Sequence, residues 1–145
     1  ALLCYLFYEF RQALKNLDDA EEHLVSVVGS QHYPLFYFLN SLVRLALYSE
    51  AQTPEKKRIL KRVQANQKKM KHWAYHAPMN NLHKWYLVEA ERYWVLGQSL
   101  QAMEAYDAAI AHARENEFLH EEAISHERAA LFYLQIGKEK VAQTY

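Results

Sequence analysis

Residues 82–116, LHKWYLVEAERYWVLGQSLQAMEAYDAAIAHAREN, contain two apolar-periodic helical segments that meet at Gly97. Small and aromatic residues recur at helical spacing on both sides of this turn: Ala90 and Tyr93 before it, and Ala102, Tyr106 and Ala109 after it. Residues at i, i+4 and i+7 share one face of a helix. Small residues let two helices approach closely, so this stretch predicts a helix-turn-helix hairpin.

The same pattern recurs around Gly137, with Ala130 and Tyr133 before the turn and Ala142 after it. The period is 40 residues, longer than the roughly 34 of a standard tetratricopeptide (TPR) repeat. One hairpin cannot bury its own apolar face, so neighbouring hairpins must stack on it. The sequence therefore predicts an all-α fold, a TPR-like alpha-alpha superhelix of antiparallel helical hairpins with extended repeats of about 40 residues.

Breaks in the apolar period divide the rest of the chain into helices. Thr53 is the predicted N-cap of one helix, with Pro54 at its first position, and Asn80 or Asn81 is predicted to cap the next. The helix containing FYFLNSLVRLAL is apolar almost all round, so we expect it to be buried. The predicted helices cover residues 1–7, 11–27, 34–49, 54–75, 81–96, 99–115 and 119–136, with another beginning at residue 138.

Length favours one domain, residues 1–145, with repeats at about 1–28, 34–76, 81–116 and 119–145. Because the chain opens with Ala1 and stops inside an apparent helix at Tyr145, we expect it to be a fragment of a larger protein. Lys plus Arg equals Asp plus Glu, 17 of each. This balance gives no global indication of nucleic-acid or acidic-lipid binding, and we expect neither nucleic acid nor membrane as a partner. The single Cys4 excludes an intrachain disulfide and fits a reducing, cytoplasmic location.

Four segments resemble the helical region of large bacterial, notably cyanobacterial, multi-sensor signalling kinases: residues 26–48, 66–97, 105–116 and 121–145. In that family a protein-kinase-like domain and an AAA-type (STAND-like) ATPase precede a TPR-like region, and a GAF domain and a histidine kinase follow it. The chain departs from the family pattern at two turns, where Tyr8 and Glu117 stand in place of glycine.

The resemblance implies a non-catalytic protein–protein interaction and signal-relay segment that links an ATPase module to sensor and histidine kinase modules. Serine/threonine or histidine kinase activity and ATP binding would belong to the rest of the parent chain. This sequence itself contains neither a GxxxxGK[ST] loop nor an HRD/DFG pair. The alternative is an effector-binding helical sensor domain of a STAND-type transcriptional regulator, which would need an enclosed pocket.

Three other patterns have a structural and a functional interpretation. Residues 125–128, SHER, resemble a histidine-kinase phosphoacceptor box, but Ala129 and Ala130 follow as in a packing helix. His72 and His76 lie one helical turn apart with His83 nearby, yet no acid or Cys completes a zinc set. We therefore expect no metal, cofactor or catalytic residue. The lysine-rich run at 56–71 is typical of a solvated helix face, with docking onto an acidic protein surface as the alternative.

TPR-type stacks bind partners along the first helix of each hairpin, and Trp94 is the best anchor candidate because large aromatics dominate binding energy. The partner would be a neighbouring domain or another protein, and exposed ends of the stack could also support dimerisation. The candidate groove residues are Lys84, Leu87, Glu91, Trp94, Val95, Ile124, Glu127, Leu131, Leu134 and Gln135.

Overall fold

The computed structural model describes residues 1–27, 29–30 and 32–145. Within these ranges the fold is all-α, as predicted, and consecutive helices pack as neighbouring pairs. The described residues form eight α-helices and one 3₁₀ turn: α1 Leu2–Leu6, α2 Phe10–Glu21, the 3₁₀ turn Leu24–Val27, α3 His32–Ala46, α4 Thr53–His76, α5 Pro78–Val95, α6 Ser99–Glu115, α7 Leu119–Gln135 and α8 Glu139–Ala142. None of these helices is long and apolar enough to cross a membrane.

Several predicted boundaries differ from those of the structure. The bounds of α6 are as predicted, whereas α2 ends at Glu21 instead of continuing to residue 27. The backbone tightens there, because His23 and Ser26 donate to carbonyls three residues earlier, the pattern of a 3₁₀ turn. The predicted first repeat, residues 1–28, ends at a position outside the described residues.

Two predicted helix caps are wrong. Helix α5 begins at Pro78, and Ala77 occupies the N-cap position, so neither Asn80 nor Asn81 caps this helix. Proline fits the first helical position because its missing N–H would have no intrahelical partner there. Thr53 is already helical, and the N–H of Lys56 bonds to the carbonyl of Gln52, so the helix starts one residue earlier than predicted.

Helix α5 ends in a Schellman motif. Gly97 has a φ of 72°, in the left-handed region that glycine occupies most readily. The N–H of Gln98 donates to the carbonyl of Tyr93, and the N–H of Gly97 donates to that of Trp94. These two bonds satisfy carbonyls at the helix end that would otherwise have no partner. Gln98 then serves as the N-cap position of α6, so the turn is as short as this motif allows.

The same motif recurs every 20 residues, at Gly97, Glu117 and Gly137, and once more at Tyr8. Glu117 and Tyr8 have φ values of 62° and 61°. They adopt the left-handed conformation without being glycine, which costs roughly 1–2 kcal/mol. The two positions where the sequence departs from the expected glycine are therefore turns of the same kind.

The chain forms two compact units, residues 1–70 and 71–145. In the first unit α3 is buried over residues 36–43, in agreement with its prediction. Asn66 Nδ2 of α4 donates to Asn40 Oδ1 and to Ser41 Oγ at 3.0 and 3.1 Å, so buried polar side chains link the two helices. In the second unit α5, α6, α7 and α8 pack in sequence, and α5 also contacts α7.

Candidate functional site

A buried ion pair joins α5 to α7 in the second unit. Arg128 donates from Nε and Nη2 to the two carboxylate oxygens of Glu91, each at 2.9 Å. The hydroxyl of Tyr106, on α6, also donates to Glu91 Oε1 at 2.6 Å. Glu91 is 2% exposed and Arg128 is 9% exposed. This two-pronged geometry is the strongest form of a carboxylate–guanidinium contact, and it links three helices through one carboxylate.

The guanidinium of Arg128 also lies 5.1 Å from the centre of the Trp94 ring. Trp94 in turn meets Phe132 edge to face, with ring centres 5.7 Å apart. Both contacts are of the kind that aromatic rings favour. Trp94 is therefore held in one orientation while part of its ring stays accessible.

A second polar cluster lies nearer the start of α5. The ammonium of Lys84 lies 3.4 Å from Glu121 Oε1, 2.9 Å from His83 Nε2 and 4.4 Å from the centre of the Phe118 ring, and it donates to the carbonyl of Asn80 at 3.0 Å. Burial lowers the pKa of Lys84, and Glu121 partly opposes that shift. The buried ammonium is thus surrounded by acceptors on one side and an aromatic face on the other.

His83 is 1% exposed and stacks at a tilt on Phe118, with ring centres 4.4 Å apart. Burial lowers its pKa to about 3, and the positive charge of Lys84 adds to the effect. His83 is therefore neutral at ordinary pH, so Nε2 accepts from Lys84 and the proton resides on Nδ1. That Nδ1 is buried and has no hydrogen-bond partner among the described residues.

The two clusters share one register. Glu91 and Arg128 are 37 residues apart, and so are Lys84 and Glu121. Because both pairs advance in the same direction, α5 and α7 run parallel. The charges are exchanged between the pairs, acid on α5 in one and base on α5 in the other. A slip of α7 by one turn would leave all four charges without their partners.

The predicted groove residues fall into three groups by exposure. Lys84, Leu87, Glu91 and Ile124 are buried; Trp94, Val95 and Leu131 are half-buried; Glu127, Leu134 and Gln135 are exposed. The polar members of the first group are occupied by contacts within the second unit. A partner could reach the other two groups, and their role in a groove stays a prediction.

The role of Arg128 was not predicted from the sequence, where this residue lies in a phosphoacceptor-like box. In the structure Arg128 belongs to the ion pair, and Ser125 is buried and donates to the carbonyl of Glu121. His126 Nε2 lies 3.1 Å from Arg114 Nη2. Aligning α5 with α7 at 37 residues instead of 40 would have revealed the exchanged charges at both pairs.

The histidines that could have suggested zinc do not come together. His72 and His76 are exposed neighbours on α4, with ring centres 4.6 Å apart, whereas His83 is buried against Phe118. Among the described residues, no three His, Cys, Asp or Glu side chains are placed to hold a metal ion.

The first unit contains a cleft of about 310 Å³. Its lining includes the apolar side chains of Leu14, Leu47 and Ile59 and the charged side chains of Glu55 and Arg58. A second cleft of about 340 Å³ shares Leu14, Leu47 and Glu55 with it. The two are parts of one depression on this unit.

No protein-family model, no curated protein and no solved structure matches the chain. Its own residues and their geometry therefore carry the functional argument.

Proposed function

We propose that this chain is a non-catalytic, TPR-like interaction and signal-relay module of a multi-domain signalling kinase. It would link an ATPase module to sensor and histidine kinase modules. The observation that carries the proposal is the shared 37-residue register of the buried pair Glu91–Arg128 and of Lys84–Glu121, whose carboxylate is half-buried. A parallel contact between α5 and α7 in one register supports the proposed stack, in which each repeat packs on its neighbour.

The accessible surface beside the ion pair suits protein recognition. Trp94, Leu131 and Leu134 offer apolar area, and Glu127 and Gln135 offer polar groups at its edge. Trp94 is fixed by Arg128 and Phe132 before any partner arrives. A side chain that is already ordered loses little conformational entropy on binding, so it makes an effective anchor.

The relay follows from the rigidity of the α5–α7 contact. Buried charges tolerate little displacement, because separating them leaves an uncompensated charge in a low-dielectric environment. A displacement of α5 by an attached ATPase would therefore carry α7 with it. The mechanism is mechanical, and no bond is made or broken in it.

The test is amide hydrogen exchange on the full parent chain, with and without ATP. We expect nucleotide to change protection along both α5 and α7. A change in neither helix would refute the relay. A matched pair of variants tests the surface itself: Leu134→Asp should weaken docking of the neighbouring domain, whereas Leu100→Asp, at another exposed leucine on α6, should not. Equal effects of the two variants would argue against the proposed surface.

The cleft of the first unit supports a second candidate, a small-effector sensor of a transcriptional regulator. Its lining combines the apolar side chains Leu14, Leu47 and Ile59 with charged ones, a combination found in ligand sites. Replacing Leu47 by Trp would narrow the cleft. If effector sensing is the function, this variant should lose the effector response. It should still dock the neighbouring domain on the surface around Trp94 and Leu134.

A further inference from the structure

The zero net charge of the chain conceals an asymmetry between the two units. Residues 1–70 contain ten Lys or Arg and seven Asp or Glu, whereas residues 71–145 contain seven and ten. The first unit therefore carries a formal charge of +3 and the second a charge of −3. Opposite charges on two surfaces of one chain favour contact between copies of it.

The excess positive charge is concentrated on the outer face of α4. Lys57, Lys61 and Lys68 are exposed, and they form no hydrogen bond or ion pair with any described residue. At 1.5 Å rise per residue they cover about 16 Å of one helix face. We call these three residues the lysine stripe.

Other cations of the same helix are engaged within the first unit. Arg62 bonds to Glu21, the ammonium of Lys69 donates to Tyr37 Oη at 2.9 Å, and that of Lys56 lies 5.2 Å from the centre of the Tyr48 ring. The lysine stripe therefore differs from these three residues in making no such contact. Its charge makes no hydrogen bond or ion pair among the residues that the structure describes.

A complementary face lies on α6 of the second unit. Glu104 and Glu115 are exposed and eleven residues apart, the same separation as Lys57 and Lys68. Ala111 lies between the two acids and Ala65 lies between the two lysines, and both alanines are exposed. In an antiparallel register that pairs Lys57 with Glu115, Ala111 lies opposite Lys61, so its small side chain leaves room for the third lysine.

We propose that the lysine stripe docks on the Glu104–Glu115 face of α6 in a second copy of this chain. In an antiparallel arrangement Lys57 would meet Glu115 and Lys68 would meet Glu104. The contact is heterologous, since it joins different faces of the two copies, so it can propagate beyond a dimer. It is a different surface from the one used in the proposed relay and does not depend on it.

The test is sedimentation velocity of the whole chain over a range of protein concentrations. We expect weak self-association that falls at least about tenfold when salt rises from about 50 to about 500 mM, because exposed charges are screened over the Debye length. A chain that stays monomeric at millimolar concentration, or whose association does not depend on salt, would overturn the proposal. This measurement needs no variant.

Charge reversal identifies the faces. Lys57→Glu with Lys68→Glu should reduce association at least about tenfold, as should Glu104→Lys with Glu115→Lys, because like charges then face one another. Mixing the two double variants should restore association between them, since each keeps the face that the other can use. Failure of the mixture to associate would contradict the proposed pairing, and circular dichroism would verify that both variants are folded.

Lys138→Glu with Lys140→Glu makes the same change in net charge away from both faces. It should associate as the unaltered chain does, and a loss equal to that of the stripe variant would refute the assignment. A labelled DNA duplex tests the other occupant of a basic face. Duplex binding tighter than self-association and abolished by the stripe substitutions would mean that the lysine stripe serves nucleic acid, and would overturn the proposal.

Discussion

The contact between α5 and α7 has one charged cluster at Glu91 and another at Lys84, and the two differ in how completely their polar atoms are paired. At Glu91 every charged atom has a partner, with two bonds from Arg128 and one from Tyr106. At Lys84 the neighbouring His83 is buried and neutral, and its Nδ1 has no hydrogen-bond partner in the part of the chain that the structure describes. Both clusters fix the register of α5 against α7. Only the Lys84 cluster contains a group, His83, whose protonation is opposed by burial. The Glu91 cluster should therefore determine how specifically α5 packs against α7. The Lys84 cluster should make the free energy of unfolding depend on pH.

The largest loss of stability should follow from removing Arg128 from the Glu91 cluster. Arg128→Met leaves the carboxylate of Glu91 buried without its partner, so we expect a loss of about 3–5 kcal/mol in the free energy of unfolding. Urea denaturation followed by circular dichroism would measure it.

The matched control removes both charges. Arg128→Met combined with Glu91→Leu should recover much of the lost stability, because no uncompensated charge remains and apolar side chains fill the space. A double variant that is no more stable than Arg128→Met would show that packing alone, and not the buried charge, accounts for the loss.

The next largest effect is the contribution of His83 to the pH dependence of the free energy of unfolding. Because the pKa of His83 is lowered to about 3, the unfolded chain binds a proton below its ordinary pKa of 6.5 while the folded chain does not. Stability from this group is therefore present above about pH 6.5 and is lost as pH falls toward about 3. Between about pH 7 and pH 5 the loss should be about 2 kcal/mol.

His83→Gln should remove that part of the pH dependence, and its amide oxygen can still accept from Lys84. The difference in unfolding free energy between this variant and the unaltered chain, measured by urea titration at several pH values, isolates His83 from the acids that titrate in both. His76→Gln makes the same substitution at an exposed position and serves as the matched control. Equal slopes for the chain and for His83→Gln would show that His83 protonates normally.

Sequence patterns could predict the turns but not the contacts between stacked helices. Gly97 and Gly137 identify their turns directly, and the bounds of α6 follow from the apolar period between its ends. Which residues of α5 face α7 depends on the axial stagger of two parallel helices. That stagger makes contacting residues 37 apart although the turns repeat at 40, and no pattern within one helix encodes it. Lys84, Leu87 and Glu91 were accordingly assigned to a groove, whereas in the structure they are buried.

Substitutions at the equivalent turn positions Glu117 and Gly97 should change stability by smaller amounts and in opposite directions. Glu117→Gly should stabilise the chain by about 1 kcal/mol, because glycine removes the strain of a φ of 62° but also gains freedom in the unfolded state. Gly97→Ala should destabilise by a similar amount. A methyl group at Gly97 would meet no atom within 4 Å, so backbone conformation alone sets this cost. Thermal unfolding would compare the two, and shifts of the same sign would contradict the shared motif.

The smallest effect should come from an ion pair that resembles Glu91–Arg128 in chemistry and differs in surroundings. Arg11 lies 3.0 Å from Glu50, but their side chains are 84% and 58% exposed. Water already solvates both charges and salt screens their attraction, so Arg11→Met should change the unfolding free energy by less than about 1 kcal/mol. The same urea titration used for Arg128→Met measures it. If the two substitutions cost the same, burial would not be what gives the α5–α7 ion pair its importance, and the contrast between satisfied and solvated charges would fail.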